Sequence, residues 1–140
     1  MKETEVVSTR WLENMSFESE INGHKLVVDA KEEVGGQDKG PRPKPLMLAA
    51  LGGCTSMDVI SILKKMRVEL KSLNVIVEGE LTEEHPKHFT KMHVIYEVEG
   101  DKLPMENIQK AVTLSEEKYC GVSIVYRQVM EITSEIRIKE

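Results

Sequence analysis

Apolar positions recur with a period of two at both ends of the chain and become nearly continuous in between. Residues 6–11 and 15–21 are rich in β-branched and aromatic side chains with partial alternation, which predicts strands. Asn22-Gly23 separates residues 15–21 from residues 24–29, and Asn-Gly between two such runs predicts a hairpin. A polar loop over residues 31–45 follows, with Gly35-Gly36, Gly40 and prolines at 41, 43 and 45. Those prolines exclude a regular ladder or helix up to the last of them, which suits a first helical turn.

Over residues 46–66 hardly any polar face is left before Lys64. A helix that is apolar all round must be buried all round. Gly52-Gly53, Thr55, Ser56 and Asp58 interrupt the run, so no stretch of about 18 uninterrupted apolar residues exists and a membrane span is not expected. At 1.5 Å per residue the helix is roughly 30 Å long, about the diameter of a small domain. One subunit of this size does not cover such a helix on every side, so a homodimer is expected.

After Leu73 the period of two returns. Leu73, Val75, Val77 and Leu81 alternate with polar positions, as do Met92, Val94, Tyr96 and Val98, predicting antiparallel strands joined by a loop over residues 82–89. Pro104 opens a second helix carrying Ile108, Ala111, Val112, Ser115 and Tyr119 on one stripe. Cys120 lies at its end, and Gly121 is placed to break or kink it. Met130, Ile132, Ile136 and Ile138 give a last strand. The expected class is α+β, in the order βββ-α-ββ-α-β, within a single domain over residues 1–140.

Composition narrows the function. The 140 residues are 40% hydrophobic and 31% charged, as in a soluble globular chain, and the net charge of −5 offers no basic stripe for nucleic acid. The first residues lack the apolar stretch of a secretory signal, and two cysteines are too few for a disulfide framework. A reducing, cytoplasmic setting is expected, in which two thiols that pair do so transiently.

Cys54 follows Gly52-Gly53 in mid-helix. Two glycines there cost roughly 2 kcal/mol in helix propensity, a cost most easily accepted where another backbone or a ligand comes very close. Asp58, four residues on, shares the helix face of Cys54. A close helix crossing with Cys54 as a small buried hydrophobe competes with any chemical role. His85 and His88 share a loop without a zinc-type ligand spacing, and His24 and His93 read as surface strand positions. The Gly-rich loop lacks the Lys-Ser/Thr of a phosphate cradle, so neither a metal nor a cofactor is expected.

The segment from Gly40 to Val59, with its alternating prolines and Gly52-Gly53-Cys54 followed by Asp58-Val59, resembles the signature of the OsmC/Ohr family. Ser115 to Ser123, centred on Tyr119-Cys120-Gly121, resembles that family's second cysteine motif. The Gly-Gly-Cys form is most similar to the YhfA-like branch. The resemblance implies an intertwined homodimer with antiparallel sheets and two central long helices. It also implies a first cysteine that reduces a hydroperoxide and a second that resolves the sulfenic acid as a disulfide. A dithiol such as a lipoyl group then restores both. Carried over, Cys54 is the peroxidatic residue and Cys120 the resolving one, with Arg42 and Arg10 the candidates by region for the activating arginine. The family's glutamate is replaced by Lys44-Pro45. The alternative is therefore a non-enzymatic small-molecule-binding or regulatory domain of the same fold.

Overall fold

The computed structural model describes residues 2–139. They fall into two compact units, one up to Met47 and one from Leu48 onward.

The first unit is a three-stranded antiparallel sheet of β1 (Ser8–Glu13), β2 (Ser16–Ile21) and β3 (His24–Val28), in that order. The turn between β2 and β3 is the one Asn22-Gly23 predicts. Both residues take positive φ, 50° and 80°, which a two-residue hairpin with the right twist requires. The loop beyond β3 winds round Asp29, whose carboxylate accepts the backbone N–H groups of Ala30 (2.7 Å), Gln37 (3.2 Å) and Lys39 (3.1 Å). Burial opposes ionisation of Asp29, but these N–H donors and Arg42 outweigh it and hold its carboxyl below the usual range. Gly40 is needed for close approach, since a Cβ there would lie 2.0 Å from the Val27 carbonyl oxygen.

Helix α1 (Pro45–Lys65) begins at the last of the three prolines. The second unit then builds a sheet in the order β4–β5–β6 from β4 (Ser72–Leu81), β5 (Phe89–Glu99) and β6 (Glu131–Lys139). β4 and β5 pair antiparallel as predicted, with Val75 opposite Tyr96 and Val77 opposite Val94. β6 runs parallel to β5, a departure from the all-antiparallel expectation. A parallel neighbour needs a long crossover, and the helical segment between the two strands supplies it.

That segment is not one continuous helix. It runs as α2 (Met105–Leu114), a wide π-type turn over Ser115–Tyr119, an extended Cys120, and α3 (Gly121–Tyr126). The α+β class and the element order hold, with the second helix broken in this way. The core joins Leu51, Val59 and Leu63 of α1, Met92, Val94, Tyr96 and Val98 of β5, and Ile108, Ala111 and Val112 of α2. Helix α1 is not buried all round within this chain. Leu51, Thr55, Val59 and Leu63 are buried, whereas Ala49, Ala50, Gly53, Met57 and Ile60 form an exposed stripe. By length and composition α1 would also suffice to cross a membrane.

Candidate functional site: a cysteine pair beside Asp58

Helix α1 presents Cys54 and, one turn later, Asp58, both half-buried. Cys120 arrives from the break in the crossover. Its backbone N–H closes the wide turn on the Ser115 carbonyl at 2.7 Å, and its own φ/ψ of −78°/101° is extended. Its Sγ then accepts the Ser123 N–H at 3.3 Å and caps α3. The two sulfurs and a carboxylate oxygen of Asp58 all lie within 4.8 Å of one another. Both thiols are free. Closing the sulfur gap to the about 2.05 Å of a disulfide takes side-chain movement.

Cys120 is only 2% exposed. Burial pushes its thiol up to about 11, the Ser123 N–H partly offsets this, and the adjoining Cys54 raises it further. At neutral pH Cys120 is therefore a protonated thiol. The Tyr126 phenol is also raised, by burial and then by Cys120.

A chain of polar side chains leads away from the cysteines. Ser115 Oγ donates to Asp58 Oδ2 at 2.9 Å and shares a 2.8 Å hydrogen bond with Thr55 Oγ1. Thr55 also bonds the Tyr96 hydroxyl at 2.9 Å, and Glu116 Oε1 lies 3.4 Å from that hydroxyl. Glu116 meets Arg127 at 3.0 Å, and Arg127 Nε donates to Ser123 Oγ at 3.0 Å. Among the described residues no buried side-chain nitrogen or oxygen lacks a partner. Burial, the largest influence, holds the Tyr96 phenol far above its ordinary range, so it stays a neutral donor and acceptor.

Arg42, a sequence candidate for the activating cation, lies in the first unit. It donates to the Asp29 carbonyl at 3.1 Å and pairs with Asp38. His93 is not the plain surface position expected. It is half-buried, with Nδ1 2.7 Å from Thr133 Oγ1 and Nε2 2.7 Å from Glu135. Sequence reasoning placed Asp58 beside Cys54 but missed Thr55, Ser115, Tyr96, Glu116 and Arg127. Thr55, Ser115 and Tyr96 were signalled only by polarity at positions that otherwise read as core, and nothing marked Glu116 or Arg127.

Comparison with known proteins agrees with this layout. The family model for OsmC-like protein matches residues 36–135, spanning both cysteines. Protein YhfA of Escherichia coli (strain K12) is 35% identical over 125 residues, covering 89% of this chain and 90% of that protein. A solved structure of a hypothetical protein from Aquifex aeolicus VF5 is 29% identical and superposes with a TM-score of 0.83. It covers 99% of this chain and 100% of that one. An organic hydroperoxide resistance protein OsmC from Legionella pneumophila shares the fold, with a TM-score of 0.68 at 18% identity over 96% of this chain and 97% of that one. A match to the family model over most of the chain, with a relative of this identity and coverage, makes the protein a member of the OsmC-like family.

Proposed function

We propose that the protein is a thiol-dependent redox protein that reduces organic hydroperoxides through Cys54 and Cys120. The observation that carries this reading is the approach of the two sulfurs to within 4.8 Å, next to a carboxylate. A fold shared with a protein named for organic hydroperoxide resistance supports it.

The chemistry runs in two steps. Cys54 Sγ attacks an oxygen of the hydroperoxide, so that an S–O bond forms and the O–O bond breaks. The leaving alkoxide takes the thiol proton and departs as the alcohol, and the Cys54 sulfur is oxidised by two electrons. Cys120 Sγ then attacks that sulfur, the S–S bond forms, and the displaced hydroxide leaves as water with the Cys120 proton. With its thiol held near 11, Cys120 needs a proton acceptor, and Asp58 is the carboxylate in reach. A dithiol such as a lipoyl group reopens the bridge by exchange.

Free thiols are to be counted anaerobically before and after one equivalent of an organic hydroperoxide. The expected loss is two per chain, restored by a dithiol. Cys54→Ser should abolish consumption, and Cys120→Ser should leave a trappable sulfenic acid. Thiols that survive unchanged would replace this reading with that of a non-enzymatic binding domain. Lys44-Pro45 in place of the family's glutamate favours that alternative.

The reading includes a homodimer in the cytoplasm. The exposed stripe on α1 supports the dimer, being apolar at Met57 and Ile60 and small at Ala49, Ala50 and Gly53. Such a stripe admits a second helix at short distance.

A further inference from the structure

We propose that, with both thiols reduced, Cys54, Asp58 and Cys120 form a binding site for one thiophilic divalent cation of the Zn²⁺ type. The inference stands on geometry and does not depend on the redox reading.

Three donor atoms of the right chemistry converge, two sulfurs and one carboxylate oxygen, all within 4.8 Å of one another. In a tetrahedral zinc site, with Zn–S about 2.3 Å and Zn–O about 2.1 Å, the ligand atoms are about 3.5–3.8 Å apart. Small side-chain rotations therefore bring these three onto one ion. Two ligands come from one helix face at positions i and i+4, and the third from an extended residue on another element. The fourth position is left to water. Two thiolates select zinc-like ions over Mg²⁺ or Ca²⁺, which prefer all-oxygen shells.

Two of the ligands are also held from behind, as metal ligands usually are. The Ser115 hydroxyl donates to Asp58 Oδ2 at 2.9 Å and fixes the orientation of the carboxylate. The Ser123 N–H points at Cys120 Sγ at 3.3 Å, a donor that suits a metal-bound thiolate. Neither contact lies in the metal's own coordination shell, so both persist when the ion binds. Because the ion engages both sulfurs, ion and disulfide exclude one another.

The test is anaerobic titration of the reduced full-length chain with Zn²⁺ against a chromophoric chelator, with Co²⁺ as a spectroscopic probe. One Zn²⁺ per chain is expected, and Co²⁺ should give a thiolate charge-transfer band in the near ultraviolet. Zn²⁺, but not Mg²⁺, should protect the half-buried Cys54 from alkylation in the unmutated protein. Cys54→Ser and Cys120→Ser should each lose stoichiometric binding. Ser115→Ala, which touches the ion only through Asp58, should weaken it by about 10–100-fold. Circular dichroism separates misfolding from lost ligation, and the alkylation arm needs no variant. Absent Zn²⁺ protection, binding that survives both cysteine substitutions, or bound Co²⁺ without the thiolate band would overturn the site. If Zn²⁺ fails to bind while hydroperoxide still closes the bridge, the metal site falls and the redox reading stands. Zn²⁺ bound at thiols inert to hydroperoxide would uphold the metal site and remove the redox reading.

Discussion

The Ser115 hydroxyl lies 2.9 Å from Asp58 Oδ2 although 57 positions separate the two residues in sequence. That bond ties the break in the crossover to the cysteine face of α1. It also makes Ser115, 0% exposed, a junction between the site and the Thr55–Tyr96 pair behind it.

Removing the middle of this network should cost stability. Thr55→Val keeps the shape of the side chain but deletes the hydroxyl that bonds both Tyr96 and Ser115. Those hydroxyls lose a partner in a buried setting, and a loss of about 1–3 kcal/mol is expected in urea unfolding. Tyr96→Phe alone should cost less, because Thr55 then keeps its bond to Ser115. The double variant should be less destabilised than the sum of the two singles, as a direct contact requires. Additive effects would mean that the two hydroxyls do not act as a pair.

Cys120 makes a pH prediction with a definite sign. Its thiol is raised in the folded chain from an ordinary 9.0 to about 11, chiefly by burial. A group raised in the folded state favours folding while it is protonated. Its contribution is full below about 9 and lost as pH rises through about 11. The reduced protein should therefore lose stability across that window, and Cys120→Ser should lose less. The raised Tyr96 and Tyr126 phenols act in the same direction, so the informative quantity is the difference between variant and parent. In Cys54→Ser, alkylation of the remaining thiol should stay slow near neutrality and accelerate over the same window. Fast alkylation at neutral pH would contradict the buried thiol.

Much of the fold was legible along the chain, for identifiable reasons. Asn22-Gly23 fixes its hairpin through local backbone preference, and the alternation over residues 73–81 and 92–98 is that of a half-buried sheet. The two cysteines were readable as a pair only through their flanking motifs, because nothing local to residue 54 points to residue 120. The end of the second helix at Cys120-Gly121 was legible, but the widened turn over Ser115–Tyr119 and the short helix that follows escaped, because the stripe through Ser115 and Tyr119 continues in phase. At that widened turn the Ser115 side chain bonds Thr55 and Asp58, a tertiary contact that no local pattern announces. The parallel pairing of β6 was likewise invisible, since alternation carries no direction. Thr55 stood out only as an interruption of an apolar run, whereas Asp58 was also legible on the helix face of Cys54. In the structure they are the polar side of the site.

Gly79 of β4 is held by packing rather than by backbone conformation. A Cβ there would stand 2.6 Å from the Phe89 ring and 2.9 Å from Leu48 Cδ2, and Phe89 is only 8% exposed. Gly79→Ala should force the ring to shift and cost about 1–3 kcal/mol of stability, read in urea unfolding. Phe89→Leu combined with Gly79→Ala should recover part of the loss, as relief of a clash demands. No recovery would move the cause away from the ring.

Gly53 separates the isolated chain from the proposed dimer. Within this chain a Cβ at Gly53 meets nothing within 4 Å, and one at Gly52 meets Val77 only at 3.4 Å. Neither glycine is required by its own subunit, and alanine at an open helical position should stabilise by about 1 kcal/mol. In the proposed dimer, Gly53 lies on the exposed stripe with Met57, which is 76% exposed in this chain. A second helix packed there would meet the new methyl group. Gly53→Ala should then weaken assembly while leaving the fold of each chain intact. Met57→Glu should do so more strongly, by placing a charge in an apolar interface. Light scattering at micromolar concentration reads the outcome, with twice the chain mass expected for the parent and a dilution-dependent fall for both variants. A parent that scatters as a monomer, and a Gly53→Ala chain that is simply more heat-stable, would show α1 to be complete in one copy.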